Sequence, residues 1–257
     1  MSSIARVYTD ELRDHFKTLY GTWEPNIPLR LGDVGEMDGK IFVRRANVKD
    51  HRYALDFGER EDADHAHVDF QSTEGVEVEF FANGAAPNVN ARVEIKFSRK
   101  NAVFFNAADC ASRSIEDQIT LGEQILELYR ANKWDASHRV VTSIVEAKAT
   151  TVLISSANQG SVVIEAESDQ VSNIDLTDAS IGLRLGGYSN VGLKVVADTG
   201  LKPLIGLSRV RPKRIIGKPV FGQAIVRQLE AETLRLLELE ASASPSSLDD
   251  ELFFGTD

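Results

Sequence analysis

Apolar residues recur at three-to-four spacing at Ile4, Val7, Leu12, Phe16, Leu19 and Tyr20, which predicts an amphipathic helix opened by Ser2 or Ser3 and running to Gly21. The next stretch, TWEPNIPLRLGDVGEMDGK, is punctuated by Pro25, Pro28, Gly32, Gly35 and Gly39 and reads as an ordered loop. From Lys40 to Cys110 the period becomes two. Ile41 and Val43, Val68 and Phe70, Val76, Val78 and Phe80, and then Val89 to Phe97 alternate with polar neighbours, as half-buried antiparallel strands do. ANGAAPN is the turn expected between the last two, and NAVFF adds a fully buried strand. Ser114 in SIED resembles a capping box and predicts a helix to about residue 131 carrying Ile115, Ile119, Ile125, Leu126 and Tyr129. Gly122 falls on the same face, where it permits close approach to a sheet.

Beyond Trp134 strands return. VVTSIVEAKATTVLISS and SVVIEAES are expected to join in a hairpin through Ala157 to Gly160, with Gly160 at positive φ. ASIGLRLGG and VGLKVVAD form the clearest hairpin of the pattern, across Gly186 to Asn190, with large apolar residues on one face and Gly182, Arg184, Gly192 and Lys194 on the other. A strand follows over GLKPLIGLSRVRP, then a helix from about Phe221 to Leu239, then an acidic-hydrophobic peptide. The expected fold is α+β: mostly antiparallel sheet with an N-terminal, a central and a C-terminal helix. The expected domains are an N-terminal lobe (1–137), a hairpin-rich lobe closed by the last helix (138–241) and a flexible tail (242–257).

At 257 residues and 42 % hydrophobic, the chain can bury a substantial core. Charge adds a feature that the apolar pattern does not show. Leu201 to Gln228 holds seven Lys/Arg and no acid, whereas the following 29 residues hold eight acids and one Arg, in a chain of net charge −10. Such opposed segments suit docking on each other or on a partner. The acidic balance disfavours general nucleic-acid binding. A lone cysteine, Cys110, precludes an internal disulfide, and MSSIARVYTDELRDHF lacks the basic and apolar regions of a secretory leader, so a cytoplasmic location is expected.

Candidate chemistry is sparse. In DADHAHVDF, His65, His67 and Asp69 would share one face of a strand and suit a divalent metal. The pattern superficially resembles HxHxDH of metallo-β-lactamase-like hydrolases, but Phe70 stands where the second-metal histidine belongs, and a solvated strand face explains it as well. Cys110 precedes an expected helix start, where a dipole could activate a thiol, with His51 or His138 as conceivable neighbours. No nucleophile elbow, dinucleotide fingerprint or phosphate loop occurs, and no cofactor is implied. Catalysis is therefore disfavoured.

The leading expectation is a non-catalytic binding or assembly protein, with a basic surface of Arg209, Arg211, Lys213, Arg214 and Lys218 and a docking tail through Leu248, Leu252, Phe253 and Phe254. Its partner would be a protein or a second copy. The alternative is a membrane-active protein: hairpin arms of eight to ten alternating residues approach the ~9–11 of a tilted transmembrane strand, and the basic segment could meet anionic lipid. Gasdermin-like pore formers share that general organisation and similar length. The cysteine near the N-terminus used for lipid attachment in bacterial examples has no counterpart here, and no residue motif assigns the family. A metal-dependent hydrolase is the third reading.

Overall fold

The computed structural model describes residues 3–24, 27–72, 75–81, 92–166, 183–198, 200–211 and 220–223. Among these residues it is mostly antiparallel sheet with two helices. The first helix, α1 (Ser3–Phe16), buries Ala5, Tyr8 and Leu12. It stops at Lys17, whose φ of 55° leaves helical space. Leu19 and Tyr20 therefore do not extend the helix as their spacing predicts. They form β1 (Leu19–Gly21), which pairs with β12 (Leu201–Arg211).

The Gly- and Pro-rich stretch is also more regular than its composition predicts. It holds β2 (Asp33–Asp38), which pairs with β3 (Ile41–Asn47) through a tight turn at Gly39 (φ 64°) and with the long β8 (Arg139–Ser155). Glycine frequency reads as loop, yet Gly35 lies within a buried strand because only a bare Cα fits against the neighbouring backbone.

Next come β4 (Glu59–Gln71), β5 (Val76–Phe81), β6 (Arg92–Phe97) and β7 (Val103–Ile115). The buried strand expected at NAVFF is thus part of a 13-residue strand that runs through Ser114. Helix α2 (Gln118–Arg130) starts later than the capping-box pattern predicts. Asp117 is its N-cap, accepting from the backbone N–H of Thr120 at 2.9 Å, while Ile115 is buried at the strand's end. Hydrogen bonds from the Thr120 hydroxyl and N–H hold the Asp117 carboxyl below its usual range.

The remaining strands are β9 (Gly160–Ala166), β10 (Leu183–Ser189), β11 (Val191–Asp198) and β13 (Val220–Gln223). Phe221 belongs to β13, so the C-terminal helix does not begin there, and residues 224–239 lie outside the described residues. Neither expected hairpin forms. β9 pairs with β6 and β10, not β8, and β10 pairs with β9 while β11 pairs with β8. Gln159, not Gly160, takes the positive φ, at 60°. Gly160 serves close approach instead: a Cβ there would lie 2.9 Å from the Asn190 carbonyl oxygen.

Among the described residues nine strands form a large sheet and four form a small one, in the order β10-β9-β6-β5. Ile144 and Val145 of β8 belong to different core clusters and so face opposite sides of the large sheet. On one side α1 packs Tyr8 and Leu12 against Phe105, Val152 and Leu204. On the other, α2 packs Leu121 and Ile125 against Ile144, Ile205 and Leu207. Farther along that second side, Phe104 and Leu153 meet the small sheet. The inside-outside alternation of β7 and β8 changes phase midway: Val103, Phe105 and Ala107 share the α1 side with Cys110, and Val152 and Ile154 share it with Ala147. The phase change falls at Asp109 (φ 53°), which accepts a hydrogen bond from Lys148 at 2.8 Å. Arg113 pairs with Glu59 and Glu146, and Lys202 reaches Glu146 at 3.5 Å, which links four strands.

Candidate functional site: a two-faced sheet with open edges

Residues that pair across adjacent strands project on the same side, so register sorts the small sheet into two faces. One row is Phe80, Val93, Ile164 and Leu185; the next is Val78, Ile95, Val162 and Tyr188. The interior of this apolar face is dry, with Val93, Ile95, Val162 and Ile164 fully buried against the large sheet. Toward the edges it is open: Phe80 and Tyr188 are each 57 % exposed and Leu185 37 %.

The opposite face carries charge. Its rows include Glu77, Lys96, Ser161 and Ser189, then Phe81, Arg92, Glu165 and Arg184. Lys96 pairs with Glu79 at 2.6 Å and Arg184 with Glu165 at 3.1 Å, and the Arg92 guanidinium lies 4.6 Å from the Phe81 ring centre. The Glu79 hydrogen bond raises the Lys96 ammonium above its ordinary value. A shallow cleft of about 440 Å³ at one end is lined by Glu77, Glu94, Lys96 and Ser161. The Lys96–Glu79 and Arg184–Glu165 pairs are solvated, which suits a water-facing wall rather than acid-base catalysis.

Both outer strands, β5 and β10, have no further strand beside them among the described residues. Their outward N–H and C=O groups can therefore accept another strand. Strand directions alternate through β10, β9, β6 and β5, so a second copy's β10 placed against β5 would continue an antiparallel sheet.

The other expected site residues are distributed as follows. His65, His67 and Asp69 lie on β4, as their spacing predicts, but their side chains are outside the described residues. Among the described residues no group of three His, Cys, Asp or Glu is placed to hold a metal. Arg209 and Arg211 end β12, whose stretch from Pro203 to Ser208 is buried. Lys213, Arg214, Lys218, Leu248, Leu252, Phe253 and Phe254 lie outside the described residues. Lys202, from the same basic stretch, spends its charge internally by donating to the Leu29 carbonyl at 2.9 Å.

Cys110 lies within β7 rather than before a helix, and its thiol donates to the Ala107 carbonyl at 3.4 Å. Burial pushes the thiol up to about 11, the opposite of activation. His138 packs edge-on against Trp134, just before β8 begins, whereas Ala147, the partner of Cys110, lies at the middle of that strand. Iodoacetamide at pH 8 is expected to label Cys110 only once the protein unfolds; stoichiometric labelling of folded protein would contradict this. The thiol's contribution to stability is full below pH 9, the unfolded value, and is lost as pH rises towards 11.

Sequence reading missed one buried polar centre. Asp33 is fully buried and accepts from the Arg30 N–H (2.8 Å), Arg44 Nε (2.8 Å) and Asn47 Nδ2 (3.0 Å). The signal was an acid directly after a glycine in an apolar context, which does not by itself distinguish a buried anchor from a turn. Among the described residues no helix is long and apolar enough to cross a membrane. The chain matches no protein-family model and no curated protein, so its candidate site rests on the geometry of the small sheet.

Proposed function

We propose that this chain is a non-catalytic assembly protein that acts on membranes, with its small sheet joining those of other copies to form an amphipathic β-wall. The observation that carries the reading is the four-stranded sheet with one apolar face, one charged face and two edges left open among the described residues. A membrane barrel needs the same three properties: an apolar surface towards lipid, a polar one towards water, and edges that close on each other. Residues 76–97 and 160–189 are each long enough for two arms of ~9–11 residues, the span of a tilted transmembrane strand. This organisation is like that of gasdermin-like pore formers. In the proposal the acidic segment after Gln228 restrains the soluble form, a role that rests on the charge reversal in the sequence.

Dye release from vesicles containing phosphatidylserine tests the reading, using the full chain and one ending at Ser242. The shortened chain is expected to release dye and the full chain to release less. Phe80→Lys is expected to lower release at least tenfold, because an ammonium on a lipid-facing strand costs about 2–4 kcal/mol at mid-membrane. Glu77→Lys, on the charged face, should leave release largely intact. No release from either chain would sink the proposal, as would equal effects of the two substitutions.

A further inference from the structure

Apart from the small sheet, a second surface stands out, where the start of β8 lies against the end of β12, which β13 pairs with on its other side. Val140 lies opposite Ser208 and Val141 opposite Leu207, so Arg139 and Arg209 follow as neighbours on adjacent strands. Strands in such a pair run about 5 Å apart, which brings two guanidinium groups together. Arg139 is anchored through one nitrogen: Nη1 donates to the carbonyls of Ser137 (2.7 Å), His138 (3.2 Å) and Ala136 (3.4 Å). Its Nε and Nη2 have no hydrogen-bond partner among the described residues. Arg209 has neither an ion pair nor a side-chain hydrogen bond among the described residues, and both arginines are half-buried.

Among the described residues nothing neutralises this pair. Burial and then the Arg209 charge lower the Arg139 guanidinium; Tyr20 opposes them, and Arg211 adds a further lowering. No described carboxylate takes part. The Arg13 guanidinium lies 4.1 Å from the Tyr20 ring centre, which adds a third cation from the end of α1. Like charges held this close repel, and a chain with 39 acids could have paired them. An arrangement that instead fixes one guanidinium by backbone carbonyls and leaves its other nitrogens open is preorganised for an anion.

We propose that Arg139 and Arg209, flanked by Tyr20 and Arg13, form a binding site for a phosphate-type oxyanion. A phosphate offers several oxygens to two guanidinium forks at once, and its negative charge offsets their repulsion. The oxyanion is either free phosphate or the phosphate of a lipid headgroup. The site shares no residue with the small sheet, so it stands or falls independently of the assembly reading.

The test uses the full chain and two probes, inorganic phosphate and vesicles containing phosphatidic acid, with chloride at matched ionic strength as reference. Calorimetry and the phosphate-dependent rise in Tm report the first probe, and vesicle co-sedimentation the second. Arg209→Gln is expected to weaken binding about tenfold without lowering Tm in the absence of phosphate, since it also relieves the repulsion from Arg139. Arg139→Gln should weaken it at least as much, and Arg139→Lys should recover less than half of the loss, because an ammonium cannot present the same fork. Saturable binding of inorganic phosphate that Arg209→Gln weakens identifies a free oxyanion. Binding to vesicles alone, with the same sensitivity, identifies a headgroup. Binding to neither, or binding indifferent to both glutamine substitutions, overturns the proposal.

Discussion

Replacing Asp33 with alanine is expected to destabilise the protein by about 2–4 kcal/mol, the cost of removing a buried carboxylate that accepts three hydrogen bonds. The Asp33 side chain is fully buried and both its oxygens are engaged, one by the Arg30 N–H and the other by Arg44 and Asn47. Alanine leaves the Arg30 N–H and the Asn47 amide without those acceptors, at about 1 kcal/mol each, since both are only partly shielded from water. Arg44 itself loses less, because its side chain is 48 % exposed and water can replace the carboxylate. The effect spreads because Asp33 ties the segment bearing Leu29 and Leu31 to β3, and both leucines belong to the core beneath α2. Asp33→Asn keeps an acceptor oxygen and should lose roughly half as much. Urea unfolding followed by circular dichroism measures both. A loss below about 1 kcal/mol for the alanine variant would show that the cluster is not an anchor.

Gly35→Ala, two residues away, is expected to cost about 3 kcal/mol or more, or to prevent folding. A Cβ at this position would lie 2.1 Å from the Val43 carbonyl oxygen and 2.8 Å from Phe42 Cζ. The carbonyl cannot retreat cheaply, since β2 is held between β3 and β8 and its register shifts between Val34 and Gly35. Gly39→Ala is the comparison. Nothing lies within 4 Å of its added Cβ, so only the left-handed φ of 64° is penalised, at about 1 kcal/mol. Thermal and urea unfolding of the two variants separate a steric clash from a conformational one. Equal losses would remove the claim that β2 is packed against backbone at Gly35.

Both effects arise in a stretch that reads as loop in the sequence, and the reason is physical. Pro and Gly report local backbone preference, whereas β2 exists because β3 and β8 accept its hydrogen bonds from either side. Ser114 failed as a helix start for a related reason: the β4 and β8 ladders extend β7 through it, and Asp117 caps the helix three residues later. Where burial and periodicity agree locally, the reading held. Leu12 lies on the inner face of α1, Gly122 lies on the buried face of α2, and the alternation of Val93, Ile95 and Phe97 marks β6.

The candidate surfaces divide in the same way. That residues 76–80 and 93–97 have one apolar and one polar face follows from their order alone, because side chains alternate along any strand. The basic character of Arg209 and Arg211 and the acidity of the C-terminus are equally plain. The partners of these elements were decided only in three dimensions. β10 and β11 are separated by a single residue, yet one joins β9 and the other β8, so the most evident hairpin of the pattern is divided between two sheets. Arg139 meets Arg209 across 70 positions of sequence, through a register that neither segment encodes by itself. The sequence by itself determined which residues share a face; which faces meet was left to the tertiary structure, because period-two alternation is the same for every partner and only burial of the whole core selects among them.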